Sequence, residues 1–585
     1  MYKEVVRYLK KVEVFDVHLI NQIIISAYLY TNDLKFEKNR LLFDCLVSKE
    51  DTPLFEECLK IIRKHKVQVL SIEDLICFFE YVISPIDRKV SGSVYTPQYI
   101  RQQIIHECLD DKNLEELNEI RIADIACGCG GFLIDVAEYL HNRTGRRYED
   151  IFRNNLFGID IQDYSIERTK LLLSLVALQH GEDESFTYNL KCSDTLKFDF
   201  SSITPLDVIV GNPPYVRVRN LSSEVREQIT NYEVSKYGNS DLYITFFQIA
   251  IESLRVGGRL GYITMNSFLF SLNGRALREY FHRNRYTIKI IDFRDQQIFS
   301  GKNTYTCLFY LQKEICNEIA YTTIDASKLY DNISYELIAY DDVDDKTGWR
   351  LNNHKAIAEY EKGGLPLGTF CKLRHGIATL SNKTYIFAPI EEDDSYYIMQ
   401  AGGMNYRIEK EICRDIVNSN RFNSNVSLEE MLEKVIFPYR ANEKGRMDII
   451  PEEILKQAYP YAYHYLQSQR SVLDRRDKGK IDKYPTWYAY GRTQSLQMPR
   501  YKLFFPKIAN HQLRCVISDD PNLLLYNGIA FVSDDLQQIN VVQRVLQSAE
   551  FWEYVSTNAK PYASGYVALN GDNIKNFAIR IQNKD

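Results

Sequence analysis

The chain has 585 residues, 45% apolar and 26% charged, with no low-complexity tract and no internal repeat. That length exceeds what one core supports and predicts two or three domains. The net charge is −6, with 28 Lys and Arg against 25 Asp and Glu from residue 366 onward and 44 against 53 before it. This balance excludes a polybasic coat, so any nucleic-acid contact has to gather its basic residues in a cleft.

The longest apolar stretch, around Leu171–Leu178, is far short of the roughly 18 residues a membrane helix needs. Met1-Tyr-Lys-Glu lacks the basic-then-apolar pattern of a signal peptide. The 12 Cys are scattered without a CxxC pair, which predicts reduced thiols in a cytoplasm and no metal site. The 42 Tyr and 29 Phe suit stacking surfaces, although most such rings serve a core.

Residues 1–85 read as a helical region, with apolar positions at helical spacing in Val14–Tyr30, Leu54–Leu70 and Ile72–Ile83. No chemistry attaches to them. From about Ser91 the pattern becomes alternating helix and short buried strand. Strands are expected at Arg121–Ala126, Leu156–Ile159, Tyr188–Lys191, Asp207–Val210, Arg259–Thr264, Ile288–Phe293 and Thr306–Gln312. Helices are expected at Tyr99–Leu109, Phe132–Leu140, Ser165–His180, Leu242–Leu254 (ending in Gly257-Gly258) and Arg275–Arg285. This alternation predicts a doubly wound α/β domain over 86–315. The acidic stretch around Asp341–Asp345 predicts a linker over 316–364, and a third region of mixed pattern, rich in Tyr and Arg, fills 365–585.

Two segments carry chemistry. Ile122 to Leu133 (IADIACGCGGFL) reads as a strand, a Gly-rich turn and a helix start, the arrangement that brings backbone close to a ligand at a helix N-terminus. Asp207 to Tyr215 (DVIVGNPPY) places Asn-Pro-Pro-Tyr directly after a buried strand. The Asn212 side-chain oxygen and the Pro213 carbonyl can each accept a hydrogen bond from an exocyclic amine, drawing its delocalised lone pair toward tetrahedral geometry. Pro213 and Pro214 fix φ and donate nothing, and Tyr215 offers a face for stacking. Asp160 stands at the tip of the second strand, 34 residues past Ala126, and Asp194 follows the third. Taken singly, Asp160 and Asp194 also read as helix or turn caps. Their order along successive strands points instead to one ligand site, because open α/β sheets bind ligands beyond the carboxyl ends of their strands.

This order resembles the gamma class of N6-adenine DNA methyltransferases, the TaqI-like branch, with motif X, a cofactor loop, the catalytic NPPY and a C-terminal target-recognition domain. The likeness covers Ser91–Gln312 and, more loosely, Leu365 to the end. It implies a Rossmann-like class I methyltransferase domain with a mixed seven-stranded sheet, an N-terminal helical region and a C-terminal α+β specificity domain. It implies S-adenosyl-L-methionine as cofactor. Tyr95 and Thr96 of Ser93-Val-Tyr-Thr-Pro97 would hold the methionine part. Asp124, Ala126, Cys127, Gly128 and Gly130 would form the motif I loop; Asp160 and Ile161 would face the ribose, and Asp194 the adenine amine. Asn212 would serve both cofactor and target. Asp241-Leu-Tyr243 resembles motif V. Phe299 would pack a flipped adenine opposite Tyr215. Ile125 and Cys129 stand where the family commonly has Pro and Ser.

The resemblance further implies binding to double-stranded DNA in a bacterial or archaeal cytoplasm at the nucleoid and no membrane contact; a single asymmetric reader domain predicts a monomer, and the sequence leaves open whether a cognate restriction endonuclease is a partner. Leu373–Lys383, Arg470–Lys483, Tyr488–Arg492 and Pro561–Tyr566 are the candidate DNA-contacting segments. The alternatives are a bifunctional restriction–modification enzyme, a methyltransferase for an RNA or protein amide acceptor, and a non-catalytic DNA-binding subunit.

Overall fold

The alternating pattern between residues 98 and 315 folds as a doubly wound sheet in the computed structural model. The structure describes the whole chain apart from residues 13–15, 66, 83–93, 238–239, 300–303, 424–426, 480–482, 559–560, 563–565, 570 and 581–585. The strands are β1 (Ile122–Asp124), β2 (Leu156–Asp160), β3 (Asn189–Cys192), β4 (Leu206–Gly211), β5 (Leu254–Met265), β6 (Tyr286–Asp292), β7 (Thr306–Ile315), β8 (Glu318–Thr323) and β9 (Glu336–Ala339). Their order across the sheet is β3-β2-β1-β4-β5-β7-β6-β8-β9. Strands β3 to β5 pair in parallel, and β7 runs antiparallel to both β5 and β6. The first seven strands therefore form the mixed class I methyltransferase sheet that the sequence predicts.

Strands β8 and β9 correct the linker expectation for 316–364. β8 pairs parallel with β6, and β9 antiparallel with β8. The acidic run beyond them is a built turn. The Asp345 carboxylate accepts from Trp349 Nε1 at 2.6 Å, and its carbonyl accepts from Arg278 Nη2 at 2.7 Å. Trp349 itself is fully buried. Acidic composition signalled a turn whose carboxylates hold structure together. A second revision concerns Gly257-Gly258, which lie within β5 and not at a helix end; Gly257 takes a φ of +74° where the β4–β5 register shifts.

Strand alternation sends Val208 and Val210 to one face of the sheet and Ile209 to the other. Both faces are covered, as a parallel sheet requires. Helices α6 (Gln98–Leu109), α7 (Gly131–Thr144) and α8 (Asp163–Gln179) pack on one side; α9 (Leu242–Ser253) and α10 (Arg275–Asn284) pack on the other. The N-terminal region supplies α1 (Tyr2–Lys11), α2 (Val17–Thr31), α3 (Arg40–Asp44), α4 (Thr52–Lys64) and α5 (Ile72–Val82). Their buried residues, among them Ile25, Tyr28 and Phe79, belong to the same core as α6 to α8. The chain accordingly divides at 352/353 into two compact units, and the N-terminal helices are part of the first.

The second unit is α+β, as predicted. One four-stranded sheet joins Lys372–His375, Ile529–Ser533, Tyr501–Phe504 and Val516–Ser518 in that order. Another joins Ile386–Phe387, Glu433–Ile436, Cys413–Asn418 and Leu524–Tyr526. Helices Pro460–Ser468, Leu536–Leu546 and Ala549–Asn558 close cores around them.

Candidate active site at the carboxyl edge of the sheet

Because β1 to β4 run parallel, their carboxyl ends share one edge. Asp124 closes β1, Asp160 closes β2, Asp194 follows β3, and Asn212 follows β4 directly. A cleft of about 290 Å³ lies there. Asp124, Ala126, Cys127, Gly128, Asp160 and Ile161 line it, and so do Tyr95, Thr96, Asp194 and Asn212. Ten residues scattered over 118 positions of sequence thus converge on one cavity. Gly130 stays in the turn and off the cleft wall. Its φ of +82° and the approach of Thr169, whose Cγ2 would stand 2.5 Å from any added Cβ, both require glycine. Ser93 lies outside the described residues.

The acids differ in setting. Asp124 is 3% exposed and accepts one hydrogen bond, from Ala126 N at 3.0 Å; burial pushes its carboxyl up to about 7. Such a site favours a cation that restores the charge. Asp160 is also raised by burial, and the backbone N–H groups of Gln162 and Gly128, both 2.9 Å from its oxygens, oppose that rise. Asp194 accepts from Leu196 N at 3.0 Å and lines the cleft.

Asn212 is locked in one orientation. Its Nδ2 donates to Thr96 Oγ1 at 3.0 Å and to Val94 O at 3.2 Å. Its Oδ1 is buried and meets no donor among the described residues. A buried acceptor left open this way costs free energy unless a ligand satisfies it. Gly211, at φ +156°, makes the turn into this residue; an added Cβ there would stand 2.8 Å from Asp124 Oδ1. Pro213 is buried and Pro214 lines the cleft beside Asn212. Tyr215 donates its hydroxyl to Ile263 O at 2.9 Å, and its ring meets Phe299 with centroids 6.2 Å apart and planes at 52°. The two aromatic residues singled out in the sequence are neighbours. A base sandwiched between them needs about 7 Å and parallel planes, so the rings must part slightly to admit one.

The sequence reading missed the wall supplied by α5. Ile76 and Glu80 of that helix line the cleft. Beneath it lies a buried ionic clamp. Arg101, 1% exposed, donates to Asp135 Oδ2 at 2.8 Å, to Glu73 Oε2 at 2.7 Å and to the Thr96 carbonyl at 2.7 Å. Tyr95 donates its hydroxyl to Glu73. The available signal was local: Arg101 and Asp135 are charges set within the apolar runs of α6 and α7. In the second unit, Tyr488 and Tyr490 are buried with hydroxyls bonded to the carbonyls of Ile450 and Ile436, so neither can reach a base. Arg476, from the basic stretch Arg470–Lys483, is likewise buried.

Residues 154–299 match the Eco57I restriction-modification methylase family. The type II restriction enzyme and methyltransferase RM.Eco57I of Escherichia coli is 27% identical over 487 residues, covering 70% of this chain and 48% of that protein. The chain is related to type II methyltransferases. The type II methyltransferase M.BanIII of Aneurinibacillus aneurinilyticus is 24% identical over 464 residues, covering 69% of this chain and 74% of that one. The fold matches the DNA-bound Type IIL restriction-modification enzyme MmeI with a TM-score of 0.60 at 14% identity, over 89% of this chain and 73% of that one. This chain thus spans about half the length of RM.Eco57I, and the matched family segment runs from just before β2 through NPPY to Phe299.

Proposed function

We propose that this chain transfers a methyl group from S-adenosyl-L-methionine to N6 of an adenine turned out of double-stranded DNA. The observation that carries the reading is the Asn212 amide: its nitrogen is tied to Thr96 and Val94, and its buried oxygen awaits a donor. An exocyclic amine supplies that donor. The cleft residues fit the cofactor. Asp124 offers a buried carboxyl suited to an ammonium, and Asp160 and Asp194 offer acceptors at the positions where the family resemblance places ribose and adenine. When bound, the cofactor supplies an electrophilic methyl on sulfur.

The residues of the chain do the rest. Extruding the base costs a few kcal/mol, and stacking on Tyr215 and Phe299 returns about 1–3 kcal/mol per base. Asn212 Oδ1 and the Pro213 carbonyl each accept one N6 hydrogen, which localises the lone pair and aims it. With the cofactor held in the cleft, its methyl would pass to N6 as the S–CH3 bond breaks, and the proton would leave N6 for water once the nitrogen is alkylated. No strong base is required, so positioning supplies most of the acceleration.

Asn212→Ala is expected to keep cofactor affinity within a fewfold and to lower methyl transfer by about 10²–10³ or more, on the scale of losing one preorganised polar contact. Single-molecule sequencing of genomic DNA from cells expressing either protein checks this. An N6-methyladenine motif present with the wild type and absent with the variant is the expected result; normal turnover in Asn212→Ala would refute the assignment.

A further inference from the structure

The second unit holds an open cleft of about 1190 Å³, flanked by the 375–384 loop, the Asn527-Gly528 turn and Lys507. None of its nineteen lining residues is Asp or Glu, in a chain with 78 acidic residues and 72 basic ones. Two lysines, Lys383 and Lys507, and five carboxamides stand on the wall. Such a surface repels cations and accepts a polyanion. A carboxamide pairs one donor with one acceptor, the pattern that matches the N6–N7 edge of adenine in the major groove.

The loop on one side of this cleft is built to be rigid. Leu380 adopts φ +56°, a conformation that residues with a β-carbon rarely take, and is 46% exposed. Buried Arg476 braces it from beneath, donating to the carbonyls of Ala489 and Trp487 at 2.7 Å and of Thr379 at 3.3 Å. Gly491 N and Arg492 N donate to Thr379 O and Ala378 O at 3.2 and 3.0 Å. Only glycine fits at 491, since an added Cβ would lie 2.2 Å from Leu380 Cγ. Asn382 Nδ2 ties this loop to Asn527 Oδ1 at 3.2 Å. A half-exposed leucine lying over Gly491 in a strained, braced turn, beside a cleft with no carboxylate among its described lining residues, is an apolar knob fixed in place.

We infer that this cleft reads base edges of double-stranded DNA. Lys383 and Lys507 contact phosphates, Asn420 contacts a base through its carboxamide, Asn527 contacts one through the amide nitrogen that its bond to Asn382 leaves free, and Leu380 packs against the bases as a fixed apolar knob. The inference rests on the DNA-methyltransferase reading above and names the surface that selects the sequence.

The test uses the full chain and four variants: Lys383→Ala/Lys507→Ala together, Asn420→Ala, Asn527→Gly (which keeps the φ of +58° accessible) and Leu380→Ala. Binding to a duplex carrying the wild-type motif and to a random duplex is measured by anisotropy at several salt concentrations, alongside the methylated motif in expressing cells. An unchanged calorimetric transition of the second unit controls for folding. The lysine pair is expected to weaken both duplexes alike and to reduce the salt slope by about two, with the motif intact. Each asparagine variant should leave random-duplex binding unchanged and relax one motif position by roughly tenfold or more, and Leu380→Ala should lower affinity for the motif duplex more than for the random one. An unchanged motif in both asparagine variants overturns base reading, and an unchanged salt slope in the lysine pair overturns DNA contact at this cleft. Should the wild type methylate no DNA, the methyl-transfer reading fails by itself. The salt slope on random duplex then still decides whether the cleft holds DNA: a reduced slope supports it and an unchanged one refutes it.

Discussion

At Asp124 the carboxyl is 3% exposed and burial pushes it up to about 7, far above the unfolded value near 3.9. The sign of the pH dependence follows. Below 7 the group is mostly neutral, and a cationic ligand beside it must first drive ionisation. Cofactor affinity should therefore rise about fivefold from pH 6 to pH 7, a window below the α-amino pKa of about 7.7–8.0, and calorimetric titration at the two pH values reads it. Asp124→Asn should flatten that rise and weaken binding throughout. Because the folded group holds its proton more tightly than the unfolded one, the ligand-free protein loses stability as pH climbs from about 4 to 7. The same variant should then stabilise it at pH 8 by about 2–4 kcal/mol in urea melts. Sequence alone could single out Asp124, Asp160, Asp194 and Asn212, because each sits at a strand tip and strand tips are marked by apolar runs. It could not disclose that Asn212 leans on Thr96, since that contact spans 116 residues and exists only once the chain before α6 returns to β4.

Among elements, the clamp of Arg101 is costly to lose. One guanidinium joins α5 through Glu73, α7 through Asp135 and the Thr96 carbonyl that precedes its own helix. Removing it strands Asp135, which is 6% exposed, without its cation. Arg101→Ala should cost about 3–5 kcal/mol, the usual loss when a buried pair is broken, seen as a lowered urea midpoint. Cofactor affinity should fall with it, because Tyr95 and Thr96 are held by the same network. Helical spacing predicted α2, α4 and α5 to within a few residues, apart from the stretch up to Leu70, where helix stops at Lys64. Periodicity reveals which face of a helix is apolar and says nothing of what covers it, so the role of α5 as a cleft wall was illegible. The strands β8 and β9 were hidden for a different reason. They are short, and the turns around them are acidic, so composition masked the edge strand β9 and the strand β8 that it pairs with.

At the scale of the molecule, the division at 352/353 leaves each unit with its own cores. Two calorimetric transitions are expected, and S-adenosyl-L-methionine at a hundred times its Kd should stabilise one of them by about 2.7 kcal/mol while leaving the other in place. A single transition that moves as a whole would contradict this independence. The shared core of the N-terminal helices and α8 also has a consequence during synthesis. Helices α1 to α5 leave the ribosome before α8, and the last residue of α8 that buries their apolar faces follows Val82 by nearly a hundred positions. At about 5–20 residues per second those faces wait roughly 5–20 s for their cover. Nascent chains of this protein should therefore depend on chaperones before the second unit has been made.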